Sequence, residues 1–286
     1  MTVDQFIDLA IQEDLQDPKH LIPFGDHTTR ATIDKSIKRK GRALIKQDGV
    51  IAGIELSKQI FHKIDPELKF IENGFKDGDV IKYGDEIFYV EGNAQSILTG
   101  ERLALNFMQR MSGIATLTRQ FVNEVSGTEV KVLDTRKTTP NLRYFEKWAV
   151  RIGGAENHRF GLYDMIMIKD NHIDFAGGLE KAIDAANAYL EKHKFTVPIE
   201  IETRSLADVK RVMKHGKVQR MMLDNFTVSE VKEAVAFVEG RIETEVSGGI
   251  TLQTIRAYAT AKPDYISVGA LTHSYNSLDI SLKAMI

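Results

Sequence analysis

IEIETRSLADVKRVMKHGKVQRMMLDNFTVSEVKEAVAFVEGRIETEVSGGI, residues 199–250, alternates short apolar runs with amphipathic stretches, and that alternation decides the fold. IEIET (199–203), MMLDN (221–225) and IETEVSGG (242–249) are too short for helices and too apolar for solvated loops, so they read as strands buried on both faces. The stretches between them open on helix signals, because Ser205 with Asp208 and Thr227 with Glu230 have capping-box spacing. Strand and helix in strict alternation predict parallel βα units. Outward from this core the pattern continues: YISVGA (265–270) follows, and VKVLD (130–134) and MIMIKD (165–170) precede. Thr139-Pro140 supplies an N-cap and an N1 proline for one helix, and Thr251, after a Gly-Gly turn, opens another. The last four strand ends, Glu202, Asp224, Ser247 and Gly269, lie 22, 23 and 22 residues apart, a compact repeat. Six strands, where a complete barrel has eight, predict an open, incomplete α/β barrel; an open doubly wound sheet would show the same pattern.

The first part of the chain reads differently. Residues 3–15 place Val3, Phe6, Ile7, Ala10 and Ile11 on one helical face, with Thr2 and Gln5 as a capping box. GRALIKQDGVIAGIEL and FKDGDVIKYGDEIFYVEGNAQSIL then alternate apolar runs with Gly-Asp and Asp-Gly turns, which predicts hairpins in a β-rich scaffold domain. From Thr99 a helical stretch leads out, with Gly113 expected to break it.

A chain of 286 residues, 43% of them hydrophobic, can bury a large core. Its net charge of −2 argues against a nucleic-acid binder, so any anion site must be local. With no cysteine the chain has neither disulfides nor a thiolate metal site, and with an acidic first segment and no long apolar run the expected location is cytoplasmic, off the membrane.

Polar residues are concentrated at the strand ends. In order along the chain these ends carry Asp134-Thr135-Arg136-Lys137, Lys169-Asp170-Asn171-His172, Glu202, Asp224-Asn225, Ser247-Gly248-Gly249 and Gly269-Ala270. In a barrel the C-terminal ends of the strands meet at one mouth, where the chemistry is done. Arg136, Lys137, Arg159 and Lys169 would put four positive charges there, which calls for a strongly anionic substrate. His158, between Asn157 and Arg159, belongs to a turn-rich loop beside them. The glycine turns after the last two strands suit a phosphate. Glu202 and Asp224 either pair with these cations or bind Mg2+ and sugar hydroxyls, since magnesium favours one or two carboxylates plus substrate phosphates. No HExxH, Walker loop or GxGxxG is present.

ERLALNFMQRMSGIATLT (101–118), LDTRKTTPNLRYFEKWAV (133–150), GGAENHRFGLYDMIMIKDNHI (153–173), MLDNF (222–226), SGGI (247–250), DYISVGALTHS (264–274) and GDHTT (25–29) resemble the successive signatures of the quinolinate phosphoribosyltransferases. The resemblance implies an N-terminal α/β sandwich domain over residues 1–114, packed with the tail 275–286, and an open barrel over 115–274. It implies homodimers with shared active sites, in some cases higher oligomers. Quinolinate and phosphoribosyl pyrophosphate are the substrates it implies, with Mg2+. Carried over by motif position, Arg102 reaches into the neighbouring subunit's site, while Arg136, His158 and Arg159 hold substrate carboxylates. Lys137 and Lys169 face the reacting ring and phosphates, Glu202 and Asp224 handle ribose and magnesium pyrophosphate, and Ser247, Gly248, Gly249, Gly269 and His273 line the phosphate site. Ala155, Lys217-Val218-Gln219 and Ala261-Lys262-Pro263 depart from the family pattern, all in turns. The alternatives are transfer to nicotinate or another azaheterocycle, a Schiff-base lyase using Lys169, and a nucleotide sensor on a degenerate barrel. CO2 release separates the first alternative, and borohydride trapping the second.

Overall fold

In IEIET every residue is buried, as a strand covered on both faces requires, and this strand belongs to a six-stranded parallel sheet. The computed structural model describes residues 2–285. The chain divides into two units, Met1–Thr116 with Asn276–Ile286, and Leu117–Tyr275. The elements of the first are α1 (Val3–Leu15), α2 (His27–Thr32), β1 (Lys38–Ile45), β2 (Gly49–Val50), α3 (Ile54–Ile64), β3 (Lys69–Glu72), β4 (Val80–Ile81), β5 (Glu86–Asn93) and α4 (Ala94–Glu124), with β12 (Ile280–Met285) returning at the end; the unit boundary falls within α4. The second holds β6 (Lys131–Leu133), α5 (Arg143–Ile152), β7 (Ile166–Ile168), α6 (Asp170–Ala176), α7 (Leu179–His193), β8 (Ile199–Thr203), α8 (Leu206–His215), β9 (Arg220–Asp224), α9 (Val228–Val238), β10 (Glu243–Ser247), α10 (Ile255–Ala259), β11 (Tyr265–Ser267) and α11 (Ala270–His273).

The second unit is the open barrel. Its strand order is β6-β11-β10-β9-β8-β7, so β7 to β11 are neighbours in sequence order and the first strand, β6, pairs with the last, β11. A doubly wound sheet would reverse direction at a switch point, and this order does not. Among the described residues β6 and β7 do not pair; an isolated bridge joins Leu133 to Glu156 in the loop that precedes β7, and there the barrel stays open. The outer helices are seated by apolar faces. α8 buries Val209 and Val212, and α9 buries Val231, Ala234 and Val238. Each buried valine contributes roughly 1.5–3 kcal/mol, more than the ~1 kcal/mol of a cap, so caps place the helix starts and packing holds the helices. Thr227 and Glu230 form a reciprocal box; Ser205 accepts from the Asp208 N–H, but the Asp208 carboxylate goes back to the Arg204 N–H.

Two expected helix starts are displaced. Thr139-Pro140 opens a turn and α5 begins at Arg143, because the buried Glu146 carboxylate takes the Thr139 N–H at 3.1 Å and the Leu142 N–H bonds Thr139. Likewise the helix expected at Thr251 is α10, which starts at Ile255; the Thr251 N–H bonds the Thr254 hydroxyl at 3.0 Å, closing a turn first.

In the first unit the sheet order is β12-β1-β5-β3, all antiparallel, and β2 pairs with β4. The expected hairpins are absent among the described residues: β1 does not pair with β2, nor β4 with β5. Ile54-Glu55-Leu56 instead begins α3, whose first N–H is capped by the Asp77 carboxylate at 2.9 Å and whose Ile54, Leu56, Ile60 and Phe61 are buried. The helix predicted from Thr99 starts at Ala94 and runs unbroken through Gly113. A Cβ there would lie 2.1 Å from the Asn276 carbonyl oxygen, so the glycine admits the returning tail rather than ending the helix. Gln109 then ties that tail on, its carbonyl accepting from the Leu278 N–H and its amide donating to Ile280 O, both at 2.9 Å. Among the described residues no helix is long and apolar enough to cross a membrane.

Candidate active site

Successive residues on a strand face opposite sides. In β8 Ile199 and Ile201 therefore face the helices while Glu200 and Glu202 face the barrel interior. The interior ends in a cavity of about 710 Å³ at the strands' C-terminal edge. Every candidate named from the sequence lines it except Arg102, which is exposed on α4 in the other unit. Arg136 and Lys137 follow β6, His158 and Arg159 precede β7, and Lys169 directly follows it. Glu202, Asp224 and Ser247 are the interior residues at the tops of β8, β9 and β10, and Gly248, Gly249, Gly269 and His273 complete the rim.

The charges are arranged against their own electrostatic preference. Arg159 holds its proton less tightly than usual, first because it is partly buried and second because Arg136 is near; an anion between the guanidiniums would relieve both. Asp224 is pushed up by burial and then by the charge of Glu202, so a cation would stabilise that pair. Lys169 supplies part of it, its Nζ contacting Glu202 Oε1 while the Asp170 N–H donates to Oε2 at 3.2 Å. At Gly248 the backbone has φ +96°, and a Cβ would lie 2.2 Å from the Asn225 side-chain oxygen, so the turn that presents Ser247 requires glycine.

The loop carrying Asn157, His158 and Arg159 is pinned from inside. Asp134 and Lys147 form a buried ion pair; Asp134 also accepts from the His158 N–H at 2.8 Å and from Asn157 Nδ2 at 2.6 Å, and Lys147 donates to His158 O at 3.0 Å. Burial pushes both groups toward neutrality, and their mutual attraction opposes it. Beneath His158, Glu200 and Glu245 are fully buried with oxygens 3.0 and 3.3 Å from its Nε2. Burial alone would lower the imidazole pKa, but hydrogen bonding and charge from these carboxylates outweigh it and raise it to about 9. That pull acts at Nε2. The Arg159 N–H donates to Nδ1 from 2.6 Å, so a second ring proton would meet a donor head-on; on that contact we assign the ring one proton, on Nε2, against the charged form that a pKa of about 9 would otherwise give at neutral pH. Lys147, Glu200, Glu245 and Arg220 were missed in the sequence; Glu200 and Glu245 were readable, since each sits two residues before a strand-end candidate on the same strand face.

Fold and cavity together define an α/β-barrel enzyme whose site is built for a strongly anionic substrate. The chain belongs to the quinolinate phosphoribosyltransferase family: residues 26–112 match the N-terminal domain of quinolinate phosphoribosyl transferase and residues 114–283 its C-terminal domain. It is 45% identical to quinolinate phosphoribosyltransferase [decarboxylating] 1b of Nicotiana tabacum, covering 97% of this chain and 81% of that protein. With the probable nicotinate-nucleotide pyrophosphorylase [carboxylating] of Bacillus subtilis it shares 40% identity over 90% of this chain and 87% of that one. The crystal structure of NadC from Streptococcus pyogenes superposes with a TM-score of 0.91 at 40% identity, covering 99% and 97% of the two chains.

Proposed function

We propose that this chain transfers phosphoribosyl from phosphoribosyl pyrophosphate to quinolinate, yielding nicotinate mononucleotide, pyrophosphate and CO2 for NAD biosynthesis. One observation carries the reading: Arg136, Lys137, Arg159 and Lys169 converge with Glu202 and Asp224 in a single cavity. Two carboxylates on one substrate and a pyrophosphate on the other match that cationic lining. Arg136 and Arg159 suit the dicarboxylate, because a guanidinium fork matches a carboxylate edge. The ring nitrogen forms the bond to the ribose anomeric carbon as the carbon–oxygen bond to pyrophosphate breaks. Glu202 and Asp224 oppose the positive charge that develops on the sugar. The pyridinium then accepts the electron pair of the bond to the leaving CO2, and the ring carbon takes a proton. Mg2+ fits the residues present, since Glu202 and Asp224 repel each other in the same cavity; bound there it would neutralise departing pyrophosphate. The contact between Lys169 Nζ and Glu202 supports a charge-binding lysine over an imine-forming one.

The test is direct. With quinolinate, phosphoribosyl pyrophosphate and Mg2+, CO2 and pyrophosphate should appear in equal amounts, and chelation of the metal should abolish both. Pyrophosphate without CO2, or turnover with nicotinate instead, would move the assignment to another acceptor. Cytoplasmic operation as a homodimer belongs to the same proposal, supported by the cysteine-free composition and by the family to which the chain belongs.

A further inference from the structure

Below the cavity sits a charged cluster that the proposed chemistry does not use. β8 and β10 turn Glu200 and Glu245 into the barrel, one step beneath Glu202 and Ser247. Between them β9 contributes Arg220, with one guanidinium nitrogen 3.3 Å from Glu245 and another 3.0 Å from Glu243. His158 is inserted over this set, its Nε2–H aimed between the carboxylates of Glu200 and Glu245 and squarely at neither. On its other edge, Nδ1 receives the Arg159 N–H.

This geometry excludes two simpler readings. A histidine with two carboxylates has the composition of a divalent-metal site, and the donor atoms lie within 4.8 Å of one another. A metal would need Nε2 bare, which moves the ring proton to Nδ1 and against the Arg159 N–H; one of the two carboxylates, Glu245, is moreover already 3.3 Å from Arg220. A substrate-contacting histidine would need a ring nitrogen facing the cavity, whereas Nδ1 receives the Arg159 N–H and Nε2 is turned to the buried carboxylates, 3.0 and 3.3 Å away.

We propose that His158 is a positioning residue rather than a substrate ligand: Glu200 and Glu245 lock its ring from beneath, and its Nδ1 holds the Arg159 backbone so that the guanidinium meets the substrate carboxylate. The part concerning Arg159 rests on the function proposed above; the ring's proton position does not. Loss of the lock lets the Arg159 backbone move and weakens binding of the dicarboxylate before it slows the chemical step.

His158 is the one buried histidine of eight, so its ring N–H is the one shielded from exchange with water and stands out in protein labelled with nitrogen-15 histidine. The free protein should show the Nε2–H form. Benzene-1,2-dicarboxylate, a non-reacting mimic of quinolinate, should leave it unchanged at saturation. A proton on Nδ1, or a ring signal moved by the mimic as a direct hydrogen bond demands, overturns the proposal. So does loss of the Nε2 proton on adding Zn2+ alone. If the mimic does not bind, the functional reading fails while the spectrum of the free protein still decides the lock. Kinetics give a second arm. His158→Asn keeps an acceptor where Nδ1 stood, so kcat/KM should fall roughly tenfold, mostly through KM for the dicarboxylate; His158→Phe strands the Arg159 N–H and should lose on the order of 100-fold. Equal losses in the two variants overturn the proposal.

Discussion

At the scale of single residues, the organising contact is the buried pair of Asp134 and Lys147, which holds the 157–159 loop through hydrogen bonds to Asn157 and to both backbone groups of His158. Two charges taken out of water gain little net stability as a pair, but removing one partner leaves the other uncompensated. Lys147→Met should therefore cost about 3–5 kcal/mol, a fall in Tm on the order of 10 °C, and the double variant Asp134→Asn with Lys147→Met should recover a large part of it. Calorimetry on the three proteins checks this, and a double variant as unstable as Lys147→Met would show that Asp134 is not what the lysine neutralises. Turnover should not return with stability, because the 157–159 loop loses its anchor in the double variant as well.

At the scale of elements, the clearest case is α4. Gly113 reads locally as a helix break, yet the helix continues and the glycine makes room for Asn276, far away in sequence. The two accounts predict opposite signs. If propensity alone governed, Gly113→Ala would stabilise the helix by about 1 kcal/mol. With a carbonyl 2.1 Å from the added Cβ, overpacking should win and destabilise the protein by roughly 1–3 kcal/mol, read as a lower urea midpoint. The same distinction explains what was legible. The barrel strands could be read because each is a local run followed by its own helix, repeated until the pattern was unmistakable. β1, by contrast, takes its partners from β5 and from β12 at the far end of the chain, so the turns beside it misled and α3 was read as strand. Nothing in a Gly-Asp turn tells which distant segment will pair.

At the scale of the whole molecule, the site candidates were legible because a barrel sends every strand's C-terminal end to the same mouth, so position along each strand stood in for position in space. The buried layer beneath was not, since Glu200, Arg220 and Glu245 look like solvated charges until the strand faces are known. Arg102 is the exception among the candidates. It is exposed on α4, in the N-terminal unit. A cationic residue there has a role in the proposed chemistry if it completes the site of a second copy of the chain. In that case Arg102→Ala and Arg136→Ala should each be nearly inactive, every site lacking one carboxylate contact worth on the order of 2–5 kcal/mol. Mixed and allowed to exchange subunits, half the dimers pair one variant with the other, and in each of these one site holds both arginines and the other neither. Activity should then return to roughly a quarter of the unaltered enzyme's. Exchange is followed independently by mass spectrometry of differently labelled subunits, so that a failure to mix is not mistaken for a failure to complement. No recovery once exchange is complete would confine Arg102 to its own subunit or to no site at all, and the shared-site arrangement would have to be abandoned even if the decarboxylating transfer itself were confirmed.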